Sequence, residues 1–113
     1  MHEYSIIESL LARVGEEVRA HNALGVHRLI VQIGALSGVE TELLARAYET
    51  FRQGTVCATA ELEIENVKED WACPLCGKPI ARGAVLSCTT CGVPARLVSG
   101  DEIILKRIEM EVA

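Results

Sequence analysis

The sequence predicts an α+β fold: two helices on one face of a small three-stranded mixed sheet, with a four-cysteine insert before the last strand. Three observations lead there. Apolar residues recur at helical spacing in two segments and alternate at strand spacing in three others. Periodicity then disappears between residues 68 and 100, a stretch that holds all three prolines and four of the five cysteines.

Residues 4–21 read as an amphipathic helix. Ile6, Ile7, Leu10, Leu11, Val14 and Val18 form its apolar stripe, opposite Glu8, Arg13, Glu16, Glu17 and Arg19. Asn22 and Gly25 supply a stop. Leu29 to Ile33 has strand character, with Leu29, Val31 and Ile33 on one side and Ile30 and Gln32 on the other. A second helix is expected from about Val39 to Arg52, where Leu43, Leu44, Ala47, Tyr48 and Phe51 make the stripe. Ser37 and Glu40 have the spacing of a capping box, and Gly54 ends the helix. Ala60 to Val67 alternates Leu62 and Ile64 with Glu61, Glu63 and Glu65, as a sheet with one wet face requires. The last strand, Ile103 to Val112, carries Ile104, Ile108 and Met110 on one side and Arg107 and Glu109 on the other. Strand, helix, strand between residues 29 and 67 has the length of a crossover, so those two strands are expected to run parallel.

These elements divide the chain into a discontinuous α+β domain, residues 1–67 and 101–113, and an inserted module, residues 68–100. At 33 residues the insert is below the size at which a hydrophobic core alone usually suffices, roughly 40 residues. Its composition says what replaces the core. Cys73-Pro74-Leu75-Cys76-Gly77 and Cys88-Thr89-Thr90-Cys91-Gly92 are two C-x-x-C-G knuckles separated by eleven residues. Two intervening residues let both sulfurs of a knuckle hold one ion, and the following glycine takes a positive φ that a side chain resists. Cys73, Cys76, Cys88 and Cys91 thus make the ligand set of a closed tetrahedral zinc site in a zinc-ribbon-like module. Four thiolates also suit iron; zinc is favoured because the module lacks aromatic packing for a redox centre. Two buried thiol pairs or two disulfides are the bland alternative. Cys57 lies outside the knuckles and reads as a small buried hydrophobe.

Charge and composition exclude other classes. Eleven basic against sixteen acidic residues give a net charge of -5, without the electrostatic footprint of a nucleic-acid binder. With only Tyr4, Tyr48, Phe51 and Trp71 aromatic, base-stacking platforms are not expected either. No apolar run approaches a membrane span, and Met-His-Glu-Tyr lacks the opening of a secretory signal, so a cytoplasmic location is expected. In such a compartment cysteines serve as thiolates and metal ligands. No nucleophile–base pair or phosphate-cradling loop can be argued, so the chain is not expected to be an enzyme.

Met1-His2-Glu3 gains meaning from its position. An N-terminal amine, the amide nitrogen of His2 and its imidazole can close two small chelate rings around one metal. The Glu3 amide or carboxylate can complete a four-coordinate set of the kind Ni(II) and Cu(II) prefer. The plainer reading has Glu3 favourably charging the first turn of a helix. Glu40 is read first as half of the capping box and second as an added carboxylate near that site. His21, near a helix C-terminus, and His27, at a strand start, are assigned to no metal.

Met1-His2-Glu3, the segment Ile33-Gly34-Ala35-Leu36-Ser37-Gly38-Val39-Glu40, the two knuckles and the closing Ile108-Glu109-Met110-Glu111 occur in this order. In that combination, over essentially its whole length, the chain resembles the HypA/HybF family of nickel metallochaperones in hydrogenase maturation. The resemblance implies a nickel-binding domain carrying a zinc module. Its nickel ligands would be His2 and Glu3 with the Met1 amine, and its structural zinc ligands Cys73, Cys76, Cys88 and Cys91. It implies Ni(II) as transferred cargo and Zn(II) as a structural ion. As partners it implies the HypB GTPase and the [NiFe]-hydrogenase large-subunit precursor; urease as a second destination and a homodimer stay open. Two other classes compete: a zinc-ribbon adaptor binding protein or nucleic acid, and a small thiol enzyme, the latter disfavoured because its paired cysteines serve better as ligands.

Overall fold

The computed structural model describes residues 2–113. Its elements in chain order are α1 (His2–Ala20), β1 (Ala23–Gly34), α2 (Thr41–Phe51), β2 (Glu61–Val67), β3 (Asp70–Ala72), β4 (Pro79–Ile80), β5 (Arg96–Ser99) and β6 (Ile103–Val112). Among the described residues they make two three-stranded sheets, ordered β2-β1-β6 and β4-β3-β5.

The first sheet is mixed. β1 runs parallel to β2, with Leu29 opposite Leu62 and Val31 opposite Ile64, and antiparallel to β6. Both helices cover one of its faces. Ile7, Leu10 and Val14 of α1 and Leu44, Ala47 and Tyr48 of α2 are buried in one cluster with Val26, Leu29, Val31 and Ile33 of β1. This is the two-layer arrangement that the periodicities predict. Asn22 ends α1 in the left-handed region at φ 51°, a conformation that asparagine adopts more readily than most residues.

Four details differ from the sequence reading. α1 begins at His2, which draws Glu3 into its first turn. β1 extends six residues earlier than expected, because Val26 is a core residue and the strand continues outward through Gly25 to Ala23. In β6 the register slips between Ile30 and Val31, so Lys106 has no partner on β1. That bulge reverses the facing of the residues before it: Leu105, Ile108 and Met110 pack on the core, while Ile104 is exposed. Finally, no capping box forms. Ser37 Oγ accepts the Val39 N–H at 3.2 Å, and Glu40, at the N-cap of α2, makes no side-chain cap.

The second sheet is antiparallel and small, with Trp71 of β3 paired to Ile80 and to Leu97. Between residues 70 and 99 the only buried side chains are Cys73 and Cys88. The two sheets meet where Gly34 passes Gly100 so closely that a Cβ on Gly34 would stand 2.2 Å from the Gly100 carbonyl oxygen. Backbone bonds from Gly34 N–H to Glu102 (2.9 Å) and from Leu36 N–H to Gly100 (2.8 Å) close this junction. The Glu102 carboxylate accepts the N–H groups of Gly100 and Asp101 and is held below the ordinary carboxylate range, chiefly by the Gly100 N–H.

Candidate metal centres

The two C-x-x-C-G knuckles fold alike. Each starts with a cysteine whose sulfur accepts the N–H of the cysteine three residues on, Cys76 to Cys73 and Cys91 to Cys88, both at 3.4 Å. Each closes with a glycine N–H on the first cysteine's carbonyl, Gly77 to Cys73 and Gly92 to Cys88, both at 2.9 Å. Gly77 and Gly92 hold φ of 75° and 69°, the conformation for which glycine is needed there. The turns face each other and bring the ligand atoms of Cys73, Cys76, Cys88 and Cys91 within 4.8 Å of one another. Among the described residues this is the one group of three or more His, Cys, Asp or Glu so arranged.

The donor set fits a tetrahedral ion. Zn–S bonds of about 2.3 Å at tetrahedral angles place neighbouring sulfurs about 3.8 Å apart, and Cys76 and Cys88 stand 3.9 Å apart. Electrostatics agree. The backbone N–H of Cys76, followed by that of Leu75, lowers the Cys73 thiol to about 6, and the N–H of Cys91 lowers Cys88. Beside them the Cys91 thiol is pushed up to about 12, first by Cys73 and then by Cys76. The knuckle N–H groups thus favour the thiolate form of Cys73 and Cys88, and a cation among the four sulfurs offsets the repulsion that raises Cys91.

The N-terminal residues are placed differently. His2 is exposed at the first position of α1, whereas Glu3 is 6% exposed. Successive side chains on a helix point about 100° apart, so the imidazole and the carboxylate diverge. Glu3 Oε2 accepts the Glu40 N–H at 3.1 Å, which, as the leading cause, lowers its carboxyl to about 2. Sequence reasoning gave the capping function at α2 to Ser37 and Glu40; a residue 37 positions upstream supplies the acceptor instead. No local pattern signals a contact of that span. The Met1 amine lies outside the described residues. His21 and His27 face Glu17 and Glu111, at 3.6 and 3.7 Å.

Cys57 is fully buried, and burial pushes its thiol up. Tyr48 Oη donates to the Ala60 carbonyl at 2.8 Å, and the Arg52 guanidinium donates to the same oxygen at 2.7 Å while lying over the Tyr48 ring. These contacts close the loop between α2 and β2 and give Cys57 the packing role expected of it.

A family model described as hydrogenase/urease nickel incorporation, metallochaperone, matches residues 1–110. The chain belongs to the HypA family. Hydrogenase maturation factor HypA of Aquifex aeolicus is 41% identical over 99% of both chains, and that of Wolinella succinogenes 39% identical over 98% of this chain and 96% of its own. Among solved structures, the solution structure of the Ni metallochaperone HypA from Helicobacter pylori superposes with a TM-score of 0.75 at 30% identity, covering 98% of each chain. A second, titled solution structure of HypA protein, gives 0.82 at 32%, covering 97% of this chain and 96% of that one. The HypA family works in hydrogenase maturation as metallochaperones rather than enzymes, and its resemblance-based fold is the one observed here. No helix among the described residues is long and apolar enough to cross a membrane.

Proposed function

We propose that this protein carries Ni(II) at its N-terminus and passes it to the large-subunit precursor of [NiFe]-hydrogenase with the HypB GTPase as partner, in the cytoplasm. Zn(II) is structural, held by Cys73, Cys76, Cys88 and Cys91. The observation that carries the division of labour is the contrast between the two regions. Four convergent sulfurs leave no open position on an ion, which suits a resident metal. An exposed imidazole at a helix start suits a transferred one.

The first turn of α1 supports the nickel reading in a second way. The leading N–H groups of a helix have no intrahelical acceptor, so the His2 amide is available for deprotonation. A bare dication is disfavoured at the positive end of a helix. Nickel held by the Met1 amine, the His2 amide and the His2 imidazole avoids that penalty, because the deprotonated amide brings its own negative charge. Glu3 would serve as the fourth donor. Planar chelation needs the first turn to leave helical geometry, so loading is expected to shorten α1 at its start.

The 68–100 segment is read as a module folded by its zinc, and residues 1–67 with 101–113 as the domain that stands on its own core. A urease destination is carried by the family description alone. The test is nickel titration of native protein beside His2→Ala and a form extended before Met1. Both changes are expected to lower affinity by tenfold or more on the scale of about 1.4 kcal/mol per decade. The extension keeps every side chain, so nickel binding at native strength by the extended form would overturn the chelate.

A further inference from the structure

Charge is unevenly shared along this chain. Residues 71–100 contain Lys78, Arg82 and Arg96 and no aspartate or glutamate, so all sixteen acidic residues lie outside them. Those three cations outnumber the two net negative charges of a zinc ion held by four thiolates. Arg82 is engaged: its guanidinium donates to the Glu69 carbonyl at 2.9 Å and to the Asp70 carboxylate at 3.4 Å. Among the described residues the Lys78 side chain makes no ion pair.

The same module displays apolar side chains that its own fold leaves uncovered. Val85 and Leu75, at 83 and 71%, are the most exposed large apolar residues described, and Leu86 is 40% exposed. Trp71, Ile80 and Leu97 stand half-buried in one row across β4, β3 and β5, and the module has no helix to cover them. From that row Ile80 enters a cleft of about 220 Å³, lined also by Lys78, Pro79, Ala84, Val85 and Thr89 and reaching Cys88 of the second knuckle. Lys78 is the one cation in the lining, and no carboxylate lines it. The cleft is smaller than the roughly 300–1,000 Å³ of a cofactor or small-molecule site, and suits a side-chain anchor better.

We infer that this cleft docks a segment of a protein partner, which sets an apolar side chain on Ile80 beside Val85 and a carboxylate on the Lys78 ammonium. Charge complementarity selects that occupant. A wholly apolar segment would strip water from Lys78 without pairing it, which offsets the gain from the apolar contact. A nucleic-acid strand would gain from the cations and nothing from Val85, and the cleft holds no aromatic ring for a base to stack on. An anionic membrane is held by clusters of about four to eight basic residues; the module has three, one of them already paired. An apolar residue next to an aspartate or glutamate satisfies both the floor of the cleft and its cation. The inference rests on the zinc-held fold of residues 68–100 and on nothing at the N-terminus, so failure of the nickel reading leaves it standing.

The zinc-loaded full chain, used to select random octapeptides displayed on phage at about 150 mM salt, tests it. Selected sequences are expected to share an aspartate or glutamate next to an aliphatic or aromatic residue. A synthetic peptide of the dominant sequence should bind Lys78→Glu and Val85→Asp about tenfold or more weakly than the wild type, with zinc content unchanged in both. Arg46→Glu makes the same charge change at an exposed position of α2 and should leave the affinity as it is. Exchanging the peptide's acid for lysine should restore binding to Lys78→Glu, an outcome that misfolding of that variant does not allow. No enrichment, enrichment without the acid beside an apolar residue, or equal binding to both variants and the wild type overturns the inference. A lysine peptide that fails to rescue Lys78→Glu overturns it too. So does competition, at the same salt, in which a single-stranded oligonucleotide or a phosphatidylglycerol vesicle displaces the peptide from the wild type but not from Lys78→Glu.

Discussion

Replacing Gly34 by alanine probes the junction that fixes the four-cysteine region against the mixed sheet. The added Cβ would stand 2.2 Å from the Gly100 oxygen and 2.3 Å from its carbonyl carbon, both backbone atoms with no rotamer to yield. Gly100 is itself closely backed, since at its φ of 114° a Cβ added there would stand 2.5 Å from the Glu69 Cα. Relief therefore needs the two backbones to part by about an ångström, which strains the Gly34–Glu102 and Leu36–Gly100 hydrogen bonds. Two such bonds at about 1 kcal/mol each, with overpacking strain of about 1–3 kcal/mol, give a loss of about 3–5 kcal/mol. For a chain of this size that lowers Tm by at least about 10 °C. Thermal unfolding of zinc-loaded protein, followed by circular dichroism, measures it. Gly25→Ala is the internal control: it lies in the same strand with nothing within 4 Å of its would-be Cβ, so its Tm should stay close to wild type. Zinc content should be unchanged in both, since neither glycine touches a knuckle. A Gly34→Ala protein melting within about 2 °C of wild type would refute the close-contact reasoning.

Chelating the zinc should abolish amide-exchange protection in β3, β4 and β5 while β1 and both helices keep theirs; uniform loss in both regions would refute the division into two folding parts. Tyr48→Phe removes the donor to the Ala60 carbonyl, and denaturant titration should read a loss of about 1 kcal/mol, with unchanged stability counting against that bond. Glu3 is ionised in the fold down to about pH 2 and, with an ordinary value near 4.5, picks up its proton earlier when unfolded. Its stabilising contribution is complete above pH 4.5 and fades as pH falls toward 2. Acid titration of Glu3→Gln should show a shallower loss of stability through that window than wild type; identical slopes would contradict it.

Local pattern carried most of the fold. The helix stripes, the parallel crossover and the Glu61/Glu63/Glu65 alternation all lie within a few residues of the features they determine. What escaped is non-local. The bulge at Lys106 reverses which face Ile104 takes, and nothing in the alternation of Ile103 to Val112 announces a skipped residue. Ser37 and Glu40 have capping-box spacing, but Glu3 reaches the start of α2 first from another helix. The three short strands of the second sheet have too few residues for a period, and their pairing follows from the knuckles. The four cysteines were legible because their spacing is itself the geometry. The close pass of Gly34 and Gly100 joins residues 66 positions apart, and neither glycine looks unusual in its own neighbourhood.

The bond from Glu3 to the Glu40 amide has a consequence for cargo handling. The carboxylate anchors the entry of α2, and under the nickel reading proposed above it would also complete a metal chelate. A nickel ion that draws this oxygen away leaves the Glu40 N–H in search of another acceptor, so occupancy at one end of the chain would be felt as a loosened seam between the helices. A partner gripping that seam would sense a loaded carrier without touching the metal.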